Sequence, residues 1–306
     1  MLLALVMVAC GDDDDNGKPS LSNNENRNPA QYAGLEFPRV SSGNSTVVTH
    51  STKGYGTTYS LEWDHTLRAQ RWTCYYFTKD NYGGSWNRNN WKSTEWGGDP
   101  FQKDPVIPAS EQPSVQGEFS GSSFPDKGFS YFQRGHICAS ADRLYSKDAN
   151  EQTYYMTNMF PQGANFNEGI WSKMESFVRN DWAKNLKSDD TLFVVKGGTI
   201  DHENQILCRT RSGFIVPRYF FMALLLKRYG TYQAMAFWIE HRSEDHRNDK
   251  LGDYVVNIRE LEEKTCSRAG ANDGIDFFCN LPDDIEESVE TQDVATVKRL
   301  WNLNNK

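Results

Sequence analysis

Two apolar stretches in the second half of the chain, residues 214–226 and 232–239, constrain its fold more than any other feature. Both are rich in aromatic and aliphatic side chains, and a short segment containing Gly230 separates them. This pattern predicts two strands joined as a hairpin near Gly230. The most apolar part, residues 219–226, is far too short to cross a bilayer. We therefore expect these strands to lie in the core of a globular domain.

Further segments extend the predicted sheet and add helices. Strands are also predicted over residues 57–63, 71–77, 192–198 and part of 150–159, with a turn over 64–70. Helices are predicted over residues 258–265 and 285–303. Another helix should begin near Asn167 or Glu168, because Trp171, Met174 and Phe177 recur at helical spacing. Residues 79–128 predict long surface loops. The expected fold class is α+β, with a mostly antiparallel sheet, flanking helices and long loops.

The segment Arg134-Gly135-His136 and the downstream Asn167 supply residue types suited to hydrolysing a phosphodiester. A histidine can accept a proton from water near neutral pH. An arginine can hold a phosphate oxygen through its fixed fork of N–H groups. The carbonyl of an asparagine is a neutral oxygen ligand suited to Mg²⁺. Each residue alone is more often structural, but their joint occurrence favours a catalytic site.

These residues resemble the signature of the DNA/RNA non-specific endonucleases, the ββα-metal (His-Me finger) nucleases that include mitochondrial endonuclease G. That signature is Asp-Arg-Gly-His, followed about thirty residues later by an Asn, a Gly, a Trp and a Glu. The matching residues here are Arg134, Gly135, His136, Asn167, Gly169, Trp171 and Glu175. The likeness extends over roughly residues 50 to 290. One position departs from the signature, since Gln133 stands where the family has an acidic residue.

The resemblance implies a ββα-metal fold and an enzyme that cleaves DNA and RNA. His136 would be the general base, and Asn167 would bind a single Mg²⁺ ion, for which Mn²⁺ could substitute. Arg134 would neutralise phosphate charge, and Glu175 would hold a water of the ion's hydration shell. The residues expected to bind substrate are Arg88, Arg143 and Asn158, although Asn158 could instead stabilise a turn. A Zn²⁺ site is not favoured, because the other histidines lack metal-ligand spacing and His241 and His246 are expected in an exposed loop.

The N-terminus predicts export from the cytoplasm. Residues 1–9 are apolar and end at Cys10, and Met7-Val8-Ala9-Cys10 resembles a bacterial lipobox. Residues 11–45 are acidic and polar, so they should form a disordered tether to an endonuclease domain over 46–306. The expected location is the bacterial outer membrane, on its surface or periplasmic face, through a lipid on Cys10. An ordinary signal peptide and a secreted protein are the alternative.

The formal net charge of −8 is unusual for a protein that binds phosphates. Nine acidic residues lie in two terminal segments, and setting them aside changes −8 to +1. They are Asp12, Asp13, Asp14, Asp15, Asp283, Asp284, Glu286, Glu287 and Glu290. The motif region also has seven basic residues: Arg134, Arg143, Lys147, Lys173, Arg179, Lys184 and Lys187. They could form a basic groove or a mixed-charge surface, because acidic residues are interleaved with them.

If Cys10 is lipidated, five cysteines remain, so at least one stays free or pairs between chains. Cys266 and Cys279 are close enough in sequence for a disulfide, with free thiols as the alternative. Cys138 is expected to be a small buried residue rather than a nucleophile.

Two functional hypotheses follow. The first is an extracytoplasmic, Mg²⁺-dependent endonuclease. The second is a catalytically silent surface lipoprotein that uses the same fold to bind nucleic acid or a protein partner, which the presence of Gln133 makes conceivable. Retention of both His136 and Asn167 favours the enzyme. Either form could be a homodimer.

Overall fold

The computed structural model describes residues 28–89, 98–120, 128–129, 131–304 and 306. In these residues the strands are β1 (Ser45–Thr52), β2 (Gly56–Asp64), β3 (Ala69–Phe77), β4 (Phe132–His136), β5 (Met159–Gly163), β6 (Thr191–Gly198), β7 (Ile206–Arg209), β8 (Ile215–Pro217), β9 (Tyr219–Arg228), β10 (Thr231–Glu240) and β11 (Val255–Val256). Seven of them form one antiparallel sheet in the order β1-β2-β3-β6-β9-β10-β11. β4 pairs with β5, and β7 pairs with β8.

The α-helices of the described residues are α1 (Lys147–Gln152), α2 (Ser172–Ser176), α3 (Ile258–Thr265), α4 (Asp283–Glu290) and α5 (Val294–Leu300). Two π-helical segments, Phe166–Trp171 and Phe177–Trp182, directly precede and follow α2, and the first is kinked at Gly169, whose φ and ψ are −95° and −109°. We call these three consecutive segments the site helix. Within the described part of the chain, no helix combines the length and apolarity that a bilayer crossing requires. The α+β class with a mostly antiparallel sheet is confirmed.

The large sheet is buried on both faces, which explains the apolar run in β9. Successive side chains of a strand point to opposite faces. Phe220, Met222 and Leu224 accordingly pack in one apolar cluster, together with buried residues of the site helix. Phe221 and Leu225 pack in a second cluster, together with buried residues of α3 and of the segment that precedes α4. A strand covered on both sides has apolar side chains at nearly every position.

The predicted hairpin is confirmed, because β9 and β10 pair in register from Tyr219 opposite Glu240 to Arg228 opposite Thr231. The two turn residues, Tyr229 and Gly230, have φ angles of 52° and 74°. Two consecutive left-handed residues fit the tight turns that match the twist of antiparallel strands.

The strand predicted over residues 214–226 is divided in two. β8 ends at Pro217 and pairs with β7, whereas β9 begins at Tyr219 in the large sheet. Proline has no N–H to donate to a ladder. The Pro217 carbonyl instead accepts a hydrogen bond from Nδ1 of His241, at 3.1 Å. The chain therefore changes sheets at this point.

β4, β5 and the site helix follow one another as a strand pair and a helix, the arrangement that the resemblance predicts. Gly135 of β4 lies opposite Phe160 of β5. A Cβ atom on residue 135 would lie only 2.2 Å from Oε1 of the buried Gln162. The buried Gln162 side chain occupies the space that a Cβ would need, which explains the glycine between Arg134 and His136.

The prediction of a disordered tether is wrong for residues 28–45. Phe37 packs in the same apolar cluster as Trp72, and Nδ2 of Asn280 donates to the carbonyls of Tyr32 and Gly34 at 2.9 Å. The polar composition of 11–45 concealed a few apolar side chains near its end that are sufficient for burial. Residues 11–27 lie outside the described residues, as do the predicted signal segment and Cys10.

Two further local predictions are wrong. The strand expected within residues 150–159 is the helix α1 followed by a short 3₁₀ turn at Met156–Asn158, and β5 begins only at Met159. The helix expected over 285–303 is interrupted between α4 and α5. The side chain of Asp293 accepts a hydrogen bond from the backbone N–H of Thr296 and so caps α5 as a separate helix.

Of the two alternatives for Cys266 and Cys279, the structure shows free thiols rather than a disulfide. The thiols of Cys74 and Cys138 are also free. The Cys279 thiol lies 3.7 Å from the Phe37 carbonyl, and the Cys266 thiol lies 3.4 Å from the Glu262 carbonyl. The buried, structural character expected of Cys138 is confirmed, and burial raises the pKa of its thiol to about 12.

Candidate active site

A pocket of about 620 Å³ is lined by β4, the start of the site helix and residues that precede and follow β4 in the chain. Its described lining residues are Asn87, Arg88, Asn89, Phe101, Ser120, Tyr131, Gln133, Arg134, His136, Ser140, Tyr154, Asn167 and Glu168. Four of the residues predicted from the sequence therefore meet in one cavity: Arg88, Arg134, His136 and Asn167. The other three, Arg143, Asn158 and Glu175, do not line it.

His136 is held rigidly from several directions. It is the last residue of β4 and lies opposite Met159 of β5. Its carbonyl accepts a hydrogen bond from Nε1 of Trp171 at 3.2 Å. The imidazole packs against the rings of Phe101 and Tyr154, with centroids 5.6 Å and 4.9 Å away. Its orientation is thus determined by packing and backbone pairing before any substrate binds.

The imidazole of His136 is neutral at physiological pH. Burial lowers its pKa to about 3, and the positive charges of Arg88, Lys196 and Arg134 act in the same direction. Its Nε2 atom is buried without a hydrogen-bond partner among the described residues. Buried polar atoms normally have partners, so this side chain is chemically unsatisfied by the protein alone. A neutral imidazole retains a nitrogen lone pair that can accept a proton.

Arg134 is anchored beside His136 by the loop that precedes β4. Its Nη1 donates to Oδ2 of Asp99 at 2.8 Å and to the Val115 carbonyl at 3.0 Å. Its guanidinium carbon lies 3.6 Å from the ring centroid of Phe101. Because this ring also contacts His136, one aromatic side chain positions both the predicted base and the predicted phosphate-binding group.

Asn167 and Gln133 are joined at the wall of the pocket. Nδ2 of Asn167 donates to Oε1 of Gln133 at 2.6 Å, and Nε2 of Gln133 donates to Oε1 of Glu168 at 2.5 Å. Using Nδ2 as the donor leaves the carbonyl oxygen of Asn167 available as a ligand. Asn167 and Glu168 are consecutive at the start of the site helix, and both line the pocket.

These oxygen atoms fit a hydrated Mg²⁺ ion. Mg²⁺ prefers oxygen ligands and gives up its water reluctantly, so it is commonly held by one or two protein oxygens within a shell of water. At the start of the site helix the pocket offers the Asn167 amide carbonyl, the Glu168 carboxylate and space for solvent. Within the described segments, no cluster of three or more His, Cys, Asp or Glu residues could enclose an ion completely.

Glu175 lies in a buried charge network rather than in the pocket wall. Its carboxylate accepts a hydrogen bond from Nζ of Lys196 at 2.9 Å, and the same ammonium lies 3.8 Å from Asp142. Asp142 also pairs with Arg179 and accepts a hydrogen bond from Tyr75 at 2.6 Å. Burial opposes ionisation of Asp142, but the charges of Arg179 and Lys196 outweigh it and lower its pKa. Lys196 therefore contacts Glu175 directly, and its positive charge also lowers the pKa of His136.

The structure contradicts the substrate-binding roles predicted for Arg143 and Asn158. Arg143 is fully buried, donates to the Thr58 carbonyl at 2.6 Å and covers the Tyr75 ring at 4.3 Å. The amide of Asn158 accepts a hydrogen bond from the Cys138 N–H at 2.8 Å and donates to the Cys138 carbonyl at 2.9 Å. Both satisfy buried backbone groups, which sequence spacing does not reveal. Asn158 fixes the chain two residues after His136, so it is a positioning residue.

The seven basic residues of the motif region do not form one groove. Only Arg134 lines the pocket. Arg143 and Arg179 belong to the buried network, while Lys147 pairs with Glu151 on α1 and Lys173 donates to the Asp249 carbonyl. The cationic side chains of the described pocket are instead Arg88 and Arg134. The pocket therefore has two arginines as its cationic groups, and Glu168 is also in its lining.

The exposed location predicted for His241 is also wrong. His241 is buried beneath β5, and its Nε2 accepts a hydrogen bond from the Gly163 N–H at 2.8 Å. Its ring packs against those of Phe129 and Phe166, at 4.8 Å each. Burial lowers its pKa to about 4, which keeps the Nε2 lone pair available for Gly163.

Sequence analysis missed several lining residues. Phe101, Tyr131 and Tyr154 are aromatic and come from three separate segments, of which only that of Tyr131 adjoins β4. Glu168 was detectable in principle, because it follows the predicted metal ligand Asn167 directly. Its significance depends on the contact with Gln133, which lies thirty-five residues away in the chain.

The chain is similar to known nucleases. The sequence profile of the family described as DNA/RNA non-specific endonuclease matches residues 40–284. The chain is 26% identical over 239 residues to a nuclease of Nostoc sp., covering 71% of this chain and 78% of that protein. It is 26% identical over 236 residues to the mitochondrial nuclease EXOG of Mus musculus, covering 74% of this chain but only 56% of that protein.

The fold is also similar to that of a solved structure. The match is to a chain in the crystal structure of the EndoG/EndoGI complex, a structure that addresses the mechanism of EndoG inhibition. The TM-score is 0.59 and the sequence identity is 17%. The match covers 83% of this chain and 93% of that one. The chain therefore belongs to the DNA/RNA non-specific endonuclease family and has its ββα-metal fold. It is a nuclease, and its substrate is nucleic acid.

The buried pair of Lys196 and Glu175 generates a stability prediction. Replacing Lys196 by Met removes the ammonium and leaves the largely buried Glu175 without the counter-charge it contacts, while Asp142 keeps its pairing with Arg179. We expect Lys196→Met to lower the free energy of unfolding by about 3–5 kcal/mol, measured by urea unfolding followed through tryptophan fluorescence. Lys264→Met removes a more exposed lysine paired with Glu260 on α3 and should cost less than about 1 kcal/mol. Equal losses in the two variants would contradict the role given to Lys196.

Proposed function

We propose that this protein is a Mg²⁺-dependent endonuclease that hydrolyses phosphodiester bonds in both DNA and RNA, with His136 as general base. The observation that carries the proposal is that a neutral, buried histidine shares one pocket with Arg88, Arg134 and Asn167. Hydrolysis requires a base for water, positive charge at the phosphate and assistance for the leaving oxygen. The pocket supplies residue types for the first two, and its oxygen ligands would hold the ion for the third.

The roles of the individual residues follow from their contacts. His136 accepts a proton from the attacking water, because its imidazole is unprotonated at physiological pH. Arg134 and Arg88 bind the phosphate oxygens, and the ion pair with Asp99 keeps the Arg134 guanidinium fixed. Asn167 would hold the divalent cation, for which Mn²⁺ can substitute. When bound, the cation polarises the phosphate and stabilises charge on the leaving oxygen.

The same contacts support activity on both DNA and RNA. The charged groups of the pocket are suited to phosphate, and phosphate contacts carry little sequence information. Binding that relies on them should be nearly independent of sequence and sensitive to salt. The alternative of a catalytically silent lipoprotein was suggested by Gln133. In the structure Gln133 is hydrogen-bonded to Asn167 and does not displace it. No feature of the described residues therefore favours that alternative.

Two substitutions separate the base from the metal ligand. His136→Ala should lower turnover by about 10²–10⁴-fold, because no other group takes the proton efficiently, while leaving divalent-cation binding intact. Asn167→Ala should instead raise the Mg²⁺ concentration needed for half-maximal cleavage of plasmid DNA and of RNA. Controls are His65→Ala, at a histidine bonded to Glu111 outside the pocket, and Asn180→Ala, on the exposed side of the site helix. If His136→Ala retained wild-type turnover, another residue would have to be the base.

The low pKa of His136 generates a prediction for pH dependence. The acid limb of kcat/KM reports the free enzyme's essential base. Because burial lowers the pKa of His136 to about 3, kcat/KM should not fall with an apparent pKa near 6.5, the ordinary histidine value. We expect a nearly flat profile from pH 7 to 5 at saturating Mg²⁺. A loss of activity centred near pH 6.5 would show that the imidazole is solvated in the free enzyme.

We further propose that the mature protein is anchored in the bacterial outer membrane by acyl chains on Cys10. Cys10 follows a short apolar segment, and residues 11–27 would connect the anchor to the folded domain. Cys10→Ala should move the protein from the membrane fraction to the soluble fraction, as measured by fractionation and immunoblotting, without changing its specific activity. Wild-type protein that is soluble and cleaved at another position would support an ordinary signal peptide instead.

A further inference from the structure

The pocket contains an acidic side chain that the family signature does not include. Glu168 is exposed, lines the pocket and immediately follows Asn167. Its carboxylate accepts a hydrogen bond from Gln133, whose carbonyl accepts one from Asn167. The three side chains thus form a donor-acceptor series that runs from Asn167 through Gln133 to Glu168.

We propose that Glu168 supplies the negative charge that the family places at position 133, and that Gln133 and Glu168 together position Asn167 for cation binding. This inference rests on the proposed function, because it concerns the same metal-binding pocket. It assigns Glu168 as an additional oxygen group for a hydrated divalent cation and Gln133 as a positioning residue.

The hydrogen-bond polarity of the series supports this assignment. A glutamine has both a carbonyl acceptor and an amide donor, whereas an ionised aspartate only accepts. Next to Glu168, an aspartate at position 133 would place two acceptor-only groups in contact. Gln133 can instead accept from Asn167 and donate to Glu168 at the same time. The Glu168 carboxylate therefore explains why a glutamine is suited to position 133, and the Gln133 amide explains how a carboxylate at position 168 is held beside it.

The charge of the pocket leads to the same conclusion. Replacing an acidic residue by Gln133 removes one negative charge, and Glu168 restores it within hydrogen-bonding distance. A carboxylate beside Asn167 can accept hydrogen bonds from the water shell of a cation. Groups that orient a ligand or its waters typically change metal affinity by about 10–100-fold when removed.

A simpler explanation of Glu168 is a favourable charge in the first turn of a helix. The two explanations differ in one respect that can be measured. A first-turn charge is independent of residue 133, whereas the proposed pair is coupled. Exchanging the two side-chain types should therefore preserve the function of the pair. A glutamine at position 168 could donate to an aspartate at position 133, and that aspartate could still accept from Asn167.

The test measures cation binding directly, without turnover. Wild type, Glu168→Gln, Gln133→Asp and the double variant Gln133→Asp/Glu168→Gln would be titrated with Mn²⁺, and free Mn²⁺ quantified by electron paramagnetic resonance, with Mg²⁺ as competitor. Each single variant should bind Mn²⁺ about tenfold or more weakly. The double variant should return to within about threefold of wild type. Glu203→Gln removes an exposed carboxylate paired with Arg209 and should leave binding unchanged.

The outcomes distinguish this inference from the proposed function. If wild type and Glu168→Gln bind Mn²⁺ equally while wild type cleaves nucleic acid with Mg²⁺, the enzyme assignment stands and the role of Glu168 is wrong. If the losses of Mn²⁺ affinity in the two single variants added up in the double variant, the proposed coupling of residues 133 and 168 would also be wrong. If wild type neither binds Mn²⁺ nor cleaves with any divalent cation, the proposed function fails, and this inference fails with it. Thermal unfolding of all variants verifies that the differences do not arise from loss of the fold.

Discussion

The close antiparallel pairing of β4 with β5 is the constraint on which the active site depends. It leaves no space for a Cβ at position 135 unless Gln162 moves, because the buried Gln162 side chain lies there. It places His136 at the end of β4, where the Trp171 indole binds its carbonyl and Asn158 binds the backbone of Cys138. The catalytic geometry is therefore determined by backbone pairing and buried amide contacts, and the imidazole has little freedom left to lose when substrate binds.

The electrostatics of the pocket follow from what is buried behind it. Lys196 is completely buried, yet it has acidic partners in Glu175 and Asp142. A buried charge without partners would be costly, so the network makes it possible to keep a cation near His136. Together with burial, this cation and the two pocket arginines favour the neutral form of the imidazole. A neutral base and a positively charged pocket are what the attack of water on a phosphate requires.

Much of the fold could be predicted from the sequence, because the sheet strands have strong apolar periodicity and tight turns at Gly230 and over 64–70. The divided strand at Pro217 and the folded segment 28–45 could not, since both depend on distant partners such as His241 and Asn280. In the site, Arg88, Arg134, His136 and Asn167 were predictable as chemical types in a known order. Arg143 and Asn158 were misassigned because residue type alone does not distinguish a side chain that hydrogen-bonds to buried backbone groups from one that binds substrate.

Gln133 shows why a motif is better interpreted as a set of contacts than as a string of residues. Taken alone, the loss of an acidic residue next to Arg134 indicates a weakened or silent enzyme. In the structure, its amide bridges Asn167 and Glu168, so a carboxylate is still present in the same pocket. What the site requires is an acceptor for Asn167 and a negative charge near it, and two different arrangements of amide and carboxylate can meet both requirements. A relative with acidic residues at both positions would bring two acceptors together, and we expect one of them to be protonated or displaced from the pocket.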